Sequence, residues 1–272
     1  MNDITAVAPR QNRFSWRALS PWLISAAVLL ILPFVLDSGT AFTLMNVIAV
    51  NIVFALSYNM LLGQTGLLSF GHAVFFGLGG FLTAHAMNIV RVTGAPLPLE
   101  VFPIIGGLTG LLFGVIFGAV ATRRAGTAFA MITLGIGELV ASSSLILRSA
   151  FGGEEGISVD RTRVLQMFGI SFGPQIQVYF LIAAWLFLSV AAMYALTRTP
   201  FGRICNAVRD NPVRASFIGY NTTTVRFLSF SMAGLFAGVA GGLAALNFEI
   251  VTSSAMGAAQ SGTVVLMAYI GG

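Results

Sequence analysis

Between Asp37 and Arg91 the chain runs for 53 residues without an Asp, Glu, Lys or Arg. A helix crosses the hydrocarbon core of a bilayer with about 20 residues, so this run holds two crossings and a connector. Charged residues are only 8% of the 272-residue chain, against about 25% in soluble domains, and 57% of the residues are hydrophobic. The chain is therefore predicted to be an all-α, polytopic membrane protein that contacts lipid.

The remaining apolar runs bring the predicted number of spans to about eight. An N-terminal tail, residues 1–17, precedes the first span at residues 18–36. The later spans are predicted at residues 101–122, 125–147, 175–197, 227–248 and 259–272. The last run stops at Gly272 without a polar flank, which predicts a chain truncated there. Residues 18–272 then form one transmembrane domain.

Basic residues indicate the orientation and exclude several classes of protein. All 14 basic residues are Arg, and placing the N-terminus in the cytosol leaves only four of them outside. Because cytosolic loops carry the excess of Lys and Arg, the N-terminus is predicted to be cytosolic. The lack of Lys excludes a Walker-type phosphate site and a Schiff base in this chain. One Cys and two His give no disulfide and no metal site, and the arginines between spans do not indicate nucleic acid.

The connector inside the 53-residue run is the broken-helix segment, residues 63–72, with the sequence GQTGLLSFGH. Nonhelical backbone at membrane depth is tolerated only against protein or a water-filled cavity. The segment is therefore either a short cytosolic turn or part of a pathway through the membrane. Its candidate pathway residues are Gly63, Gln64, Gly66, Ser69, Gly71 and His72.

Two spans carry glycine at every fourth position, and each such row is called a glycine ridge. Lipid gives helices no hydrophobic drive to associate, so close backbone packing must supply the attraction. Each ridge is predicted to pack against another backbone. The ridges are Gly106, Gly110, Gly114 and Gly118 in the fourth span and Gly234, Gly238 and Gly242 in the seventh.

Glu138 lies near the middle of the fifth predicted span. A carboxyl group there costs roughly 2.5–3.5 kcal/mol on insertion scales, so it requires a partner or a function. Ser142 shares its helical face, whereas Thr133 points to another. Glu138 is therefore predicted to face the protein interior, paired with Ser142 or a partner subunit. A direct role in the pathway is the alternative.

A polar stretch between the sixth and seventh spans, residues 198–226, is called the arginine-rich loop. Residues 202–210 are predicted to form a short amphipathic helix with Arg203 and Arg209 off its apolar side. The apolar positions are Ile204, Ala207 and Val208. From local physics alone, the loop either docks a partner or only keeps this part of the chain in the cytosol.

A second short helix is predicted directly after the first. Asn211 has the side chain of an N-cap, and Pro212 suits the first helical position because its missing N–H costs nothing there. Val213 and Phe217 fall on one face, and Gly219 is placed to end the helix in a left-handed conformation. Two helices joined by such a corner form a surface of defined shape.

Four segments stand in a fixed order along the chain: NMLLGQTGLLSFGHA at 59–73, TLGIGE at 133–138, GGEEGI at 152–157, and residues 199–219. Together they resemble the permease family of ABC importers for branched-chain amino acids, whose two membrane subunits form a heterodimer. The resemblance implies a second permease subunit, two cytosolic ATPase subunits that hold ATP and Mg²⁺, and a periplasmic substrate-binding protein. It implies no cofactor on this chain.

The same resemblance implies that the arginine-rich loop inserts into a groove of the ATPase, where Arg203 and Arg209 contact acidic groups. The implied coupling residues are Pro200, Phe201, Gly202, Arg203, Arg209, Asp210, Asn211, Ala215 and Gly219. Two positions depart from the family pattern. Residues 215–219 read ASFIG where Ala-Glu-Ala-x-Gly is usual, and Ala141 stands where an arginine usually follows the spanning glutamate.

The expected function is therefore a non-catalytic permease subunit in a bacterial inner membrane, moving a small, branched-chain amino acid. Two other classes fit the residues. A self-contained secondary transporter would also use a broken helix and the intramembrane Glu138. A purely structural or sensory membrane subunit is the third.

Overall fold

A computed structural model of the chain describes residues 16–36, 38–164 and 172–271. The predicted tail at residues 1–17 therefore lies almost wholly outside the described residues. Helices make up nearly all of the described structure, and six of them are long and apolar enough to cross a membrane. The prediction of an all-α, polytopic membrane protein is confirmed.

The described part contains helices α1 to α11. The six long helices are α2 (Gly39–Thr65), α3 (Ala73–Thr93), α4 (Phe102–Ala121), α5 (Thr127–Ile146), α7 (Gln175–Arg198) and α10 (Thr222–Phe248). The short ones are α6 (Arg148–Phe151), α8 (Pro200–Asp210) and α9 (Pro212–Phe217). The first and eighth predicted spans fall on α1 (Trp16–Val35) and α11 (Ala258–Gly271), whose apolar stretches are shorter than the other six. Of the described residues, those of α1 and Leu36 belong to one compact unit, and those from Ser38 onward belong to the other.

Helix α10 begins five residues before the predicted start of its span at residue 227. The Asn221 side chain accepts hydrogen bonds from the amides of Thr223 and Thr224, both at 3.1 Å. This N-cap starts the helix inside the polar loop and carries Arg226 within its first turns. Helix α10 then packs against α2, α3 and α4, which makes it the central helix of the second unit.

The two glycine ridges face each other across the contact between α4 and α10. A Cβ atom on Gly110 would overlap the carbonyl of Gly234, and one on Gly238 would overlap the carbonyl of Gly106. A Cβ on Gly242 would lie 3.2 Å from the Cα of Pro103. The backbones of the two helices therefore touch, which only glycine permits at these positions.

A small antiparallel sheet lies at the end of the bundle where α10 ends. Strand β1 (Ile157–Ser158) pairs with β2 (Ile250–Val251). The chain reaches β1 through Gly152 and Gly156, whose φ angles are 71° and 74°. A Cβ on Gly156 would also overlap the carbonyl of Val251. Both the positive φ angle and the lack of space therefore require glycine at this position.

Arg161 fastens the segment after β1 to the end of α10. Its side chain is only 5% exposed. The guanidinium donates to the carbonyls of Phe172 (2.8 Å), Leu246 (3.1 Å), Asn247 (3.4 Å) and Gly173 (3.4 Å). It also lies 3.8 Å from the Glu249 carboxylate. One buried arginine thus satisfies carbonyls that the last turn of α10 leaves unpaired.

Candidate functional site

After the end of α2, the chain of the broken-helix segment runs back alongside the last turns of that helix. Helix α2 continues through Thr65 and ends at Gly66, whose φ is 68°. Tyr58 Oη then accepts from the Ser69 amide and donates to its carbonyl, both at 3.1 Å, and Ser57 Oγ lies 3.0 Å from His72 Nε2. Helix α3 therefore begins level with Ser57, about 12 Å along α2 from its end.

Two further helices satisfy the backbone of this segment. The Phe70 amide donates to Thr133 Oγ1 on α5 (3.2 Å), and the Ala73 amide donates to Ser261 Oγ on α11 (3.1 Å). Gly71 packs so closely on α5 that a Cβ there would overlap the Thr133 carbonyl. Three helices therefore hold the backbone of this segment, while the side chains of Leu68 and Phe70 stay exposed. The choice between a short cytosolic turn and part of a pathway stays a prediction.

The predicted pathway residues fall into three places. Ser69, Gly71 and His72 are buried together, and His72 lies between the rings of Phe54 and Tyr58 at 5.7 and 5.2 Å. The others of the segment, Gly63, Gln64 and Gly66, lie at the end of α2 and are partly or fully exposed. Glu138 is brought to neither group. Whether any of these residues lines the pathway stays a prediction.

Glu138 is exposed on α5, so the described residues of this chain do not cover it. The face of α5 that packs on the chain is set by Thr133 and Gly137, which contact Gly71. Ser142 is exposed beside Glu138, and no hydrogen bond joins the two in the part of the chain that the structure describes. For Glu138, the predicted pairing with a partner subunit is the alternative that remains.

The first helix of the arginine-rich loop is longer than predicted and packs on a different stripe. It begins at Pro200, with Thr199 as its N-cap, two residues before the predicted start. Cys205 and Val208 are buried against Ala215 and Val225, whereas Ala207, predicted to be apolar and inward, is exposed. The buried stripe is Phe201, Ile204, Cys205 and Val208, an i, i+3, i+4, i+7 pattern that starts from the missed first turn.

Cys205 serves as packing within this cluster. It is 2% exposed, and burial raises the pKa of its thiol to about 11. The thiol is therefore protonated at neutral pH and is not a reactive group. The cluster joins α8 and α9 to the start of α10, which makes the arginine-rich loop a rigid extension of that helix.

The second helix of the loop matches its predicted signals and leaves an apolar surface open. Asn211 Oδ1 accepts from the Arg214 amide at 2.9 Å, and Gly219 has a φ of 100°, which confirms both ends. The side chains of α9 and its C-cap that form the α9 patch are exposed: Val213 (61%), Phe217 (86%) and Ile218 (70%). This apolar patch therefore stands at the tip of a rigid corner.

Arg209 connects this corner to the broken-helix segment. Its Nη1 donates to the carbonyl of Gly63, and its Nε lies 3.1 Å from Asp210 Oδ1. The Gly63 carbonyl is in the last turn of α2, where helices leave such groups unpaired. Arg209 thus has partners within its own chain, while Arg203 is exposed on α8.

A cavity of about 610 Å³ lies at the opposite end of α10, between α2, α3, α11 and β2. Most of its lining is apolar, and polar groups come from Asn51, Thr252, Ser254, Gln260 and Thr263. The sequence prediction missed the cavity because its walls come from α2, α3, α10, β2, α11 and the turn between β2 and α11. The signal that was present is the placement of Asn51 and Gln260 inside apolar runs.

The chain matches known permeases over most of its length. Residues 40–272 match a family model described as branched-chain amino acid transport system / permease component. The high-affinity branched-chain amino acid transport system permease proteins LivM of Salmonella typhimurium (strain LT2) and Escherichia coli (strain K12) are each 26% identical over 264 residues. These matches cover 88% of this chain and 60% of each LivM protein.

A transporter with another named substrate is also similar. The fructose import permease protein FrcC of Rhizobium meliloti is 29% identical over 154 residues, which are 54% of this chain and 41% of FrcC. No solved structure matches the chain. Since the family match takes in well over half of its residues, the chain belongs to the family of branched-chain amino acid transport system permease components, the non-catalytic membrane subunits of ABC transporters.

Proposed function

We propose that the chain is the permease subunit of an ATP-driven importer that moves a branched-chain amino acid across a bacterial inner membrane. It works with a second permease subunit, two cytosolic ATPase subunits that hold ATP and Mg²⁺, and a periplasmic substrate-binding protein. The observation that carries the proposal is the α9 patch on its rigid corner. The family assignment gives no support to the alternative of a self-contained secondary transporter.

The α9 patch has the properties of a docking surface for a cytosolic protein. Three apolar side chains exposed together on a short capped helix gain free energy when a partner removes them from water. The cluster beneath the patch fixes its orientation relative to α10, so little conformational entropy is lost on binding. The partner that fits is an ATPase subunit with an apolar groove.

Arg209 gives this docking surface a mechanical connection to the membrane domain. A movement of α8 and α9 imposed by the ATPase pulls on the Gly63 carbonyl and hence on the end of α2. The nonhelical part of the broken-helix segment starts three residues after Gly63, at Gly66. ATP-driven movement thereby reaches the one stretch of backbone at membrane depth that is not helical between α2 and α3.

The cavity supports an aliphatic amino acid as the substrate. Its volume of about 610 Å³ is within the range of small-molecule sites, roughly 300–1,000 Å³. The apolar walls suit a branched side chain, while Asn51 and Gln260 offer donors and acceptors to the carboxylate and ammonium groups.

Replacing Val213 with aspartate is expected to release the ATPase. The carboxylate would be desolvated in an apolar groove without a partner, so we expect at least a tenfold loss of ATPase copurified with the solubilised complex. Thr224→Asp is the matched control, because it puts the same charge in the exposed first turn of α10, where an acidic residue is favourable. Equal ATPase retention in both variants would contradict the proposal.

Replacing Arg209 with glutamine is expected to separate docking from transport. The α9 patch is unchanged, so the ATPase should copurify at the wild-type level. The bond to Gly63 is lost, and we expect ATP-driven uptake in proteoliposomes to fall at least tenfold while hydrolysis continues. Arg124→Gln is the control, because it removes an exposed arginine that lies outside the arginine-rich loop. Uptake at the wild-type level in Arg209→Gln would refute this route of coupling.

A further inference from the structure

A second, smaller cavity lies between the last turns of α2 and the second half of α7. Its volume is about 210 Å³, and both helices give it apolar walls: Leu56 and Met60 of α2, and Val190 and Met193 of α7. The volume is below the roughly 300–1,000 Å³ of ordinary small-molecule sites. A ligand that fits must therefore be smaller than a drug-sized molecule and must carry an apolar part. This space is called the α2–α7 cavity.

The lining of the α2–α7 cavity includes a hydrogen-bond acceptor without a partner. Gln64 is one of the lining residues, and its Oε1 atom is buried. Within the described part of the chain, no group donates a hydrogen bond to this atom. Because a buried acceptor left unpaired is unfavourable, the cavity favours a ligand that brings a donor.

A guanidinium group stands beside the same lining. Tyr194 is one of the lining residues, and the Cζ atom of Arg198 lies 4.9 Å from the centre of its ring. A guanidinium group presents several donors on one plane and pairs with a carboxylate in a fixed geometry. A ligand in the cavity therefore has a cationic partner available for a carboxylate.

We propose that the α2–α7 cavity is a regulatory site for an aliphatic α-amino acid. The ammonium group of the ligand donates to Gln64 Oε1, its carboxylate pairs with Arg198, and its side chain packs on the apolar walls. The product of the proposed transport has this chemistry and accumulates on the side of the arginine-rich loop. In taking the product as the ligand, the inference rests on the proposed function.

A ligand in this cavity acts on the contact that links α8 to α2. Gln64 directly follows Gly63, whose carbonyl accepts a hydrogen bond from Arg209. A neighbouring gap shares Gln64 with the cavity and is lined on α8 by Phe201. A ligand bound between α2 and α7 restrains the end of α2, so less movement of α8 reaches the broken-helix segment. Bound product therefore slows further import.

Photolabelling of the complete, solubilised complex tests the site without using transport. The probe is a photoreactive diazirine analogue of leucine, and mass spectrometry locates the labelled residues. We expect label within residues 56–64 and 190–197, lowered at least tenfold by excess leucine. Val190→Phe fills the cavity and should remove this label, whereas Leu188→Phe, on an exposed position of the same helix, should keep it.

Three outcomes of the labelling would overturn the site. The first is no label in these two segments of the wild-type chain, and the second is equal label in Val190→Phe. The third is label that excess leucine does not lower, which would show a cavity filled by lipid. Specific label in a complex without ATP-driven uptake would refute the proposed function while the site itself stands.

Proteoliposomes test the regulatory role. Unlabelled leucine is enclosed in the lumen with ATP, and the initial rate of labelled leucine uptake is measured against a leucine-free lumen for each variant. We expect saturating lumenal leucine to lower wild-type uptake at least fivefold, and Arg198→Gln to need at least tenfold more leucine for half inhibition. Isocaproate lacks the ammonium group and leucinol lacks the carboxylate, so both should inhibit at least tenfold more weakly than leucine. Wild-type uptake that lumenal leucine leaves unchanged would overturn the regulatory role.

Discussion

Replacing Gly110 with leucine is expected to abolish accumulation of the folded protein in the membrane. A Cβ at this position already overlaps the carbonyl of Gly234, and that obstacle is backbone in the middle of a long helix. Overpacking against movable side chains costs about 1–3 kcal/mol, and here α4 and α10 must separate instead. Lipid does not replace the lost packing, because it gives helices no hydrophobic drive to reassociate.

The neighbouring ridge position and a helical glycine elsewhere give the controls. Gly114→Leu should have the same effect, since a Cβ there would lie 3.0 Å from the Cα of Ser231. Gly262→Leu in α11 should be tolerated, because nothing lies within 4 Å of its Cβ position. Accumulation is measured by fluorescence-detected size exclusion of the solubilised protein. A normal monodisperse peak for Gly110→Leu would show that the two backbones do not touch.

The Arg161→Met variant is expected to lose about 3 kcal/mol of stability, because the buried guanidinium donates four hydrogen bonds and a hydrogen bond to a charged group contributes about 1.5–3 kcal/mol. Methionine has similar length, so the packing is largely kept. The change leaves the four carbonyls bound by the guanidinium without that donor, and it leaves Glu249 without its cation. Each buried polar group left unpaired is itself unfavourable.

Arg163→Met provides a matched comparison two residues away. The Arg163 side chain is 68% exposed and pairs with Asp160 at 2.8 Å, so its loss should change stability by no more than about 1 kcal/mol. Thermal unfolding of both variants in detergent measures the difference. Equal melting temperatures for the two variants would contradict the anchoring role of Arg161.

Features encoded by neighbouring residues were predictable from the sequence. Apolar runs located the long helices, and Asn211 and Gly219 marked the ends of α9. The errors in this category came from a signal that was overlooked. Thr199 and Pro200 form an N-cap and first helical turn, and missing them shifted the predicted apolar stripe of α8 onto Ala207.

Features that depend on distant segments were not predictable in the same way. The glycine ridges predicted close packing of helices, but the sequence of neither span indicated that the two ridges pack on each other. Arg161 is one of the four arginines predicted to lie outside, and its further role was not predictable because its acceptors are carbonyls up to 86 residues away. Ser142 was predicted to pair with Glu138 because the two share a helical face, but the sequence did not show that this chain leaves that face of α5 open.

The contact between the glycine ridges limits how the protein can move. Side chains can change rotamer and let two helices slide, but backbones in direct contact have no such freedom. Gly241 meets the carbonyl of Phe76 in the same way, so α3 is interlocked with α10 as α4 is. These three helices therefore move as one solid body. When access changes from one side of the membrane to the other, the movement must therefore occur at the borders of this body. Residues 66–72, the nonhelical link between α2 and the body, form the natural hinge.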